Sequence, residues 1–301
     1  MARWTAAAVM TAAAVASVAA QKTYRVGVDL VHFSVAVTDR QGQPIPGLTA
    51  EDFEIIEEGK PQSIKFFSAG IADGESELPL HLGFMLDTSG SMERDIREVR
   101  TAVIKFLNSM DRAVDITLVD FDTEVRVARY GPNDFPRLIE RIRGRAPGGW
   151  TALYDALGTY LQGASELLGQ KVLIMYTDGG DTRSTLPLSD LIDILRASDV
   201  TIYALGYLEH QPSSARHEQR MHLQRFAEMT GGQAFFPTSL KEVDKFYEAI
   251  HKEVGARYSL GYTSTDTRDD GKWRDVKVRV KRPDLKGVKI RTRSGYFAPM
   301  R

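Results

Sequence analysis

The sequence predicts an α/β protein: a doubly wound, mostly parallel sheet with helices on both faces, flanked by a small β-sandwich. Three observations carry that reading. From Leu80 to Val254, apolar runs of strand length alternate with amphipathic helices, as expected of a parallel sheet covered on both sides. Strands of period-two alternation precede this stretch and return after it. The composition, 43% hydrophobic and 26% charged over 301 residues, supplies ample material for a globular core.

The first twenty residues stand apart: Met1, Ala2 and Arg3, then an uncharged, Ala-rich run from Ala6 to Ala20. The run is short for a membrane span, and Val18 and Ala20 precede Gln21 in the positions a signal peptidase reads, so residues 1–20 are expected to be a signal removed near Ala20. No later stretch is apolar for long enough to cross a bilayer. The mature chain is therefore expected to be exported, to the periplasm or the medium. Cysteine is absent, which excludes disulfides, thiol catalysis and Cys-ligated zinc.

Residues 21–79 are expected to form one half of the sandwich. Val26, Val28 and Leu30 alternate in one phase and Val31, Phe33, Val35 and Val37 in the other, which predicts a kink between Leu30 and Val31. Asp39 to Gly42 is a turn, and Thr49 to Asp52 has the form of a capping box with Asp in the place of Glu. A strand at Phe53 and Ile55 then leads through Glu57 to Lys60 into a hairpin with Ile64 and Phe66. Ala69 to Pro79 is expected to be a linker.

The α/β segment, 80–254, opens with a strand from Leu80 to Leu86 and a helix carrying Ile96, Val99, Val103, Phe106 and Met110 on one face. Val114 to Phe121 is the next strand, and the short gap to Val125 and Val127 predicts a hairpin with an antiparallel edge strand. Leu153 to Leu168 is expected to be a helix, Lys171 to Thr177 and Val200 to Gly206 buried strands, and Leu191 to Leu195 the helix between them. A helix at Met221 to Met229, a strand at Ala234 to Phe236 and a helix from Leu240 to Val254 complete it. Residues 255–301 bring back strands at Tyr258 to Tyr262, Val276 to Val280 and Val288 to Ile290. A few strands at each end would be marginal alone, so the two flanks are expected to pair into one sandwich with the α/β domain inserted.

Chemistry concentrates in three loops of the α/β segment. Directly after its first strand comes Asp87-Thr88-Ser89-Gly90-Ser91, hard oxygen donors at alternate positions. Gly148-Gly149-Trp150-Thr151 and Thr177-Asp178-Gly179-Gly180-Asp181 add two hydroxyls and two carboxylates. Loops at the carboxyl ends of strands are where open α/β sheets bind ligands. An oxygen set without His or Cys suits Mg²⁺ or Mn²⁺, with Ca²⁺ less constrained.

At these residues the chain resembles the von Willebrand factor type A domain and its metal-ion-dependent adhesion site, Asp-x-Ser-x-Ser with a distant Thr and a distant Asp. Asp87, Ser89, Ser91, Thr151 and Asp178 match in order. The flanks, with Leu48 to Phe53 and Gly295-Tyr296-Phe297, are similar to exported bacterial proteins related to that family. The resemblance implies a divalent cation with one position left for a carboxylate of a partner protein, and a last helix, Leu240 to Val254, whose shift regulates capture. Two departures stand out: Trp150 directly before Thr151, which lines the rim of the site, displaces its loop or belongs to the core, and Asp181, which competes with Asp178.

Other groups have plainer readings. Asp120 and Asp122 are read as turn residues, His217 and His222 as solvated side chains, and Lys277, Arg279, Lys281 and Arg282 as the wet face of a strand. Thirty-nine Lys and Arg against 40 Asp and Glu give a formal charge of -1, without a field for nucleic acid. No Gly-x-Gly-x-x-Gly, P-loop, His-Glu-x-x-His or Gly-x-Ser-x-Gly is present. The expected function is non-enzymatic capture of a partner's acidic side chain. A metal-independent scaffold with a degenerate site, and a metal-assisted hydrolase, are the alternatives.

Overall fold

The computed structural model describes residues 30–70, 78–94, 96–178, 180–209 and 211–300. The signal at 1–20, the strand residues Val26 and Val28, and most of the 69–79 linker lie outside these; Leu30 and Val31 are described, and they pair with Thr263 and Tyr262 in unbroken register, without the kink expected between them.

The N-terminal flank supplies β1 (Leu30–Thr38), β2 (Phe53–Glu57), β3 (Lys60–Gln62) and β4 (Ile64–Ala69). The inserted segment runs β5 (Leu80–Asp87), α1 (Ile96–Ser109), β6 (Ala113–Phe121), β7 (Val125–Tyr130), α2 (Phe135–Gly144), α3 (Leu153–Ala164), β8 (Gln170–Thr177), α4 (Leu188–Ala197), β9 (Thr201–Gly206), α5 (Ser213–Met229), β10 (Gln233–Phe235) and α6 (Leu240–Ala256). The C-terminal flank adds β11 (Tyr258–Thr263), β12 (Trp273–Val280), β13 (Lys289–Arg291) and β14 (Gly295–Phe297).

The central sheet has the order β10-β9-β8-β5-β6-β7 and is parallel except for β7, the antiparallel edge strand reached by a tight hairpin from β6. Every residue of β5 is buried, as its uninterrupted apolar run requires of a strand covered on both faces. One face packs under α1, α2 and α6 through Val103, Phe106, Ile142 and Ile250. The other packs under α3, α4 and α5 through Ala156, Leu161, Leu195 and Phe226. Gly83 allows α3 to sit close on β5, because a Cβ there would fall 2.2 Å from the Tyr160 ring.

The flanks form two antiparallel four-stranded sheets, β13-β1-β11-β4 and β14-β12-β2-β3. Each mixes N- and C-terminal strands, as β1 pairs with β11 and β13 while β2 pairs with β12. Phe33, Val35, Val37, Phe53, Ile55, Tyr258, Leu260, Val276 and Val278 fill the core between them. The expected α/β fold with a flanking sandwich is thus present. The capping box forms, with Thr49 N–H donating to Asp52 Oδ2 at 2.8 Å before a single 3-10 turn, and Asp39 Oδ1 accepts from Gln41 and Gln43 N–H in the turn after β1.

Several local expectations need correction. Glu58 and Gly59 turn at φ 47 and 79, but the hairpin pairs β2 with Lys60–Gln62; the chain then crosses at Ser63, so Ile64 and Phe66 lie beside β11 in the other sheet. The helix expected to reach Leu168 ends at Ala164, and Leu168 is 84% exposed. Helix α2 is an additional element, its apolar face reduced to Leu138 and Ile142. Asp120 belongs to β6 rather than a turn, while Asp122 does lie in the β6–β7 turn, its Oδ1 accepting the Glu124 N–H at 2.9 Å; both are buried under Arg126, with Arg141 on Asp120 and Arg145 on Asp122. His217 is exposed as expected, whereas His222 is half-buried, stacked on Phe226 with Tyr154 Oη 3.3 Å from its Nδ1. Lys277 and Arg279 face solvent between buried valines.

Candidate metal centre

Asp87 ends the central strand β5, between β6 and β8, and is fully buried. Its Oδ1 accepts the Ser89 N–H at 2.9 Å and its Oδ2 accepts the Thr177 hydroxyl from the end of β8 at 2.7 Å. Each carboxylate oxygen has two acceptor sites, so this orientation leaves capacity for a cation. Burial pushes the Asp87 carboxyl well above the usual carboxylate range, and the charge of Asp178 pushes it further. Hydrogen bonds from Ser89 and Thr177 oppose this only in part, and none of the groups acting on Asp87 is cationic.

The loop after β5 is fastened on two sides. Thr88 N–H and its hydroxyl both donate to the Phe121 carbonyl, at 2.8 and 3.0 Å, tying it to the end of β6. Gly148 N–H donates to the Thr88 carbonyl and Gly90 N–H to the Gly149 carbonyl, tying it to the loop before α3. Gly149 has φ 76, and a Cβ there would meet Thr123 Oγ1 at 2.5 Å, so the close approach of these loops requires glycine. Trp150 N–H donates to that same Thr123 hydroxyl. Its side chain is 64% exposed, which removes the core reading and places the indole on the surface next to Thr151.

Thr151 is buried, and its backbone is clamped by the loop that follows β8: its N–H donates to Thr182 Oγ1, and its carbonyl accepts from Thr182 and Arg183. Asp181 belongs to this clamp. Its Oδ1 accepts the Tyr154 N–H at 3.1 Å and the Ser184 hydroxyl, satisfying a donor of the first turn of α3. Asp178 is buried one residue beyond β8, close enough for its charge to act on Asp87. The two carboxylates therefore differ: Asp181 accepts the backbone N–H of the first turn of α3, whereas the charge of Asp178 acts on buried Asp87. Thr123, Thr182 and Ser184 are supporting residues outside the three loop motifs, and each of them, like Thr177, makes a hydrogen bond to a residue at least 27 positions away.

The donor set fits a small hard cation. Ser89 Oγ and Ser91 Oγ stand 3.1 Å apart, and adjacent ligands of an octahedron with metal–oxygen distances of 2.0–2.1 Å are separated by about 3.0 Å. A buried carboxylate raised by a second carboxylate's charge, with no cation among the groups acting on it, is the kind of group a divalent cation would stabilise. Ser91 is exposed while Asp87, Ser89 and Thr151 are buried, so the cluster reaches solvent at Ser91. Among the described residues no group of three or more His, Asp and Glu gathers that could hold a metal; a cation here would need the hydroxyls as ligands.

The sequence matches the von Willebrand factor type A domain over residues 81–249, more than half of the chain. The chain belongs to that family. A relative is an uncharacterized protein, YwmC, of Bacillus subtilis (strain 168), 22% identical over 204 residues that cover 60% of this chain and 87% of the relative. Among solved structures, a von Willebrand factor type A protein from Catenulispora acidiphila shares the fold, with 12% identity, 89% of this chain and 74% of that chain covered, and a TM-score of 0.50. The PilB minor pilin from Streptococcus sanguinis is similar at 13% identity and a TM-score of 0.46 over 60% of this chain. The chain spans about three fifths of that pilin's length (62%). No helix among the described residues is long and apolar enough to cross a membrane.

Proposed function

We propose that the protein is an exported interaction module that captures an acidic side chain of a partner protein through Mg²⁺ or Mn²⁺ held by Asp87, Ser89 and Ser91, with Thr151 and Asp178 acting through water. The observation that supports it most is buried Asp87, whose carboxyl is pushed up by burial and by the charge of Asp178 with no cation among the groups acting on it, beside two hydroxyls at octahedral spacing. A bound cation would supply a coordination position open to an outside carboxylate. The chain's own residues do the rest. Thr177 fixes the Asp87 carboxylate, the Thr88 bonds hold the loop in place, and hydroxyl ligands leave the cation incompletely neutralised and therefore attractive to an anion. Trp150 offers an exposed aromatic surface beside the site, the kind of side chain that anchors protein interfaces.

The test is thermal unfolding of the mature chain with chelator and with each cation, in wild type and Asp87→Ala, followed by capture of acidic exported proteins. A cation at 100 times its dissociation constant stabilises by about 2.7 kcal/mol, and the shift should vanish in Asp87→Ala. Capture that survives chelator would instead favour the metal-independent scaffold, and product formation the hydrolase.

A further inference from the structure

Six guanidiniums gather along α1, α2 and the ends of β6 and β7. Two buried carboxylates hold three of them: Arg126 stands 2.8 Å from both Asp120 and Asp122, Arg141 2.7 Å from Asp120, and Arg145 3.0 Å from Asp122. The other three, Arg97 and Arg100 of α1 and Arg143 of α2, make no ion pair among the described residues. Arg100 turns its Nη1 to the Arg143 carbonyl at 3.2 Å and its Nη2 to the Arg145 carbonyl, and its Nε is sealed without a partner.

These side chains line two open grooves on either side of the chain at 143–145. One, of about 300 Å³, is walled by Arg97, Arg100, Thr101, Ile104 and Arg143, without a carboxylate. The other, of about 620 Å³, is walled by Arg126, Arg141 and Arg145, with Asp120 as its one carboxylate. The exposed Glu98 and Glu140 line neither. Against the six guanidiniums stand Asp120, Asp122 and Glu124, the last 3.2 Å from Arg126. Three positive charges are left over on one face of a chain whose formal total is -1.

Both grooves border the candidate metal centre. Arg145 is three residues from Gly148, whose N–H donates to the Thr88 carbonyl, and three residues of chain reach at most about 11 Å. Asp122, under Arg126 and Arg145, precedes Thr123, which accepts the Trp150 N–H. A guanidinium fork suits a carboxylate, and Arg126 already grips both oxygens of Asp122 in this way. Unpaired guanidiniums beside such a site draw in a partner of opposite charge. We infer that the partner segment captured at the metal centre is acidic over several residues, its further carboxylates lying in the arginine grooves between α1 and α2. This rests on the metal-held capture proposed above and specifies what flanks the captured side chain.

The test uses the mature full chain and two short synthetic peptides read by fluorescence anisotropy. One alternates Asp and Glu; the other keeps a single Asp, with Asn or Gln in place of every other acid. Each is titrated in Mg²⁺ and in chelator against wild type, the double variant Arg97→Gln/Arg143→Gln, and Asp87→Ala. Arg97 and Arg143 are exposed and unpaired, so their replacement is expected to leave folding intact. Losing two exposed pairs should weaken the acidic peptide about 2- to 30-fold, in Mg²⁺ and in chelator alike, and leave the single-acid peptide unchanged. Equal binding of the two peptides by wild type overturns the inference, and so does an acidic peptide held as tightly by the arginine variant. Tighter binding of a heparin fragment of the same charge also overturns it, by assigning the grooves to a sulfated polysaccharide. Failure of the metal centre reads differently: Mg²⁺ then tightens neither peptide in wild type or Asp87→Ala, while the arginine-dependent loss persists in chelator and the grooves stand.

Discussion

Asp178 and Asp181 are three residues apart, and their different partners give them different jobs. Removing the Asp181 carboxylate uncaps α3, so Asp181→Ala should cost about 1 kcal/mol of stability and leave cation affinity within a few-fold of wild type. Asp178→Asn should do the reverse: little change or a gain in metal-free stability, since it relieves Asp87 of a repelling charge, with weaker cation binding. Urea unfolding and cation titration of the two variants separate these outcomes. A cation affinity lost in Asp181→Ala and kept in Asp178→Asn would reverse the assignment. At this scale the motif residues were legible because their spacing is local, and because strand order says which loops meet. The Thr177 hydroxyl on Asp87 and the arginines over Asp120 and Asp122 were not, since those partners come together only when β8, β7 and α2 are in place.

Two contacts decide how the elements fit. Gly83→Ala would drive a methyl group into the Tyr160 ring under α3; overpacking of this kind costs about 1–3 kcal/mol, readable as a lower urea midpoint with an unchanged slope. Arg257 follows α6 and is buried, its guanidinium donating to Glu253 Oε1 and Tyr203 Oη at 3.1 Å and to Ser34 Oγ at 2.8 Å. Arg291 completes the pairing with Glu253. Burial works to raise the Glu253 carboxyl, and the two guanidiniums outweigh it, so the group lies below its ordinary value of 4.5. A carboxyl depressed by folding adds stability that is present above the unfolded value and lost as pH falls through the folded one. Wild type should therefore lose stability below about pH 4.5, and Glu253→Gln should lack that component. Arg257→Met strands Glu253 beside a single cation and should cost about 3–5 kcal/mol. Helix existence followed from periodicity for α1, α3, α4 and α6, but α2 buries only two apolar side chains and gave too little signal. The slip of the β2 hairpin has a similar cause, because the crossing at Ser63 is set by the second sheet rather than by the turn.

Across the whole molecule, the sandwich is built from both ends of the chain and the α/β domain from its middle, a division legible in the change from period two to strand-helix alternation. We expect residues 80–254 expressed alone to give a cooperative unfolding transition, less stable than in the full chain because Arg257 and its bonds are removed. The flanks should fold only when both are present; an N-terminal flank that folds by itself would contradict a shared sandwich. What the sequence could not show is the seam, where Arg257 meets Ser34 across 223 positions and Arg293 lies against His32.

The most direct test of the metal centre is a Mn²⁺ titration of the mature full chain followed by electron paramagnetic resonance, in wild type and Asp87→Ala. One Mn²⁺ per chain, displaced by Mg²⁺ and absent from a folded Asp87→Ala, is the expected result. A folded wild type that binds no Mn²⁺, or an Asp87→Ala variant that binds it equally well, would contradict a cation held by Asp87.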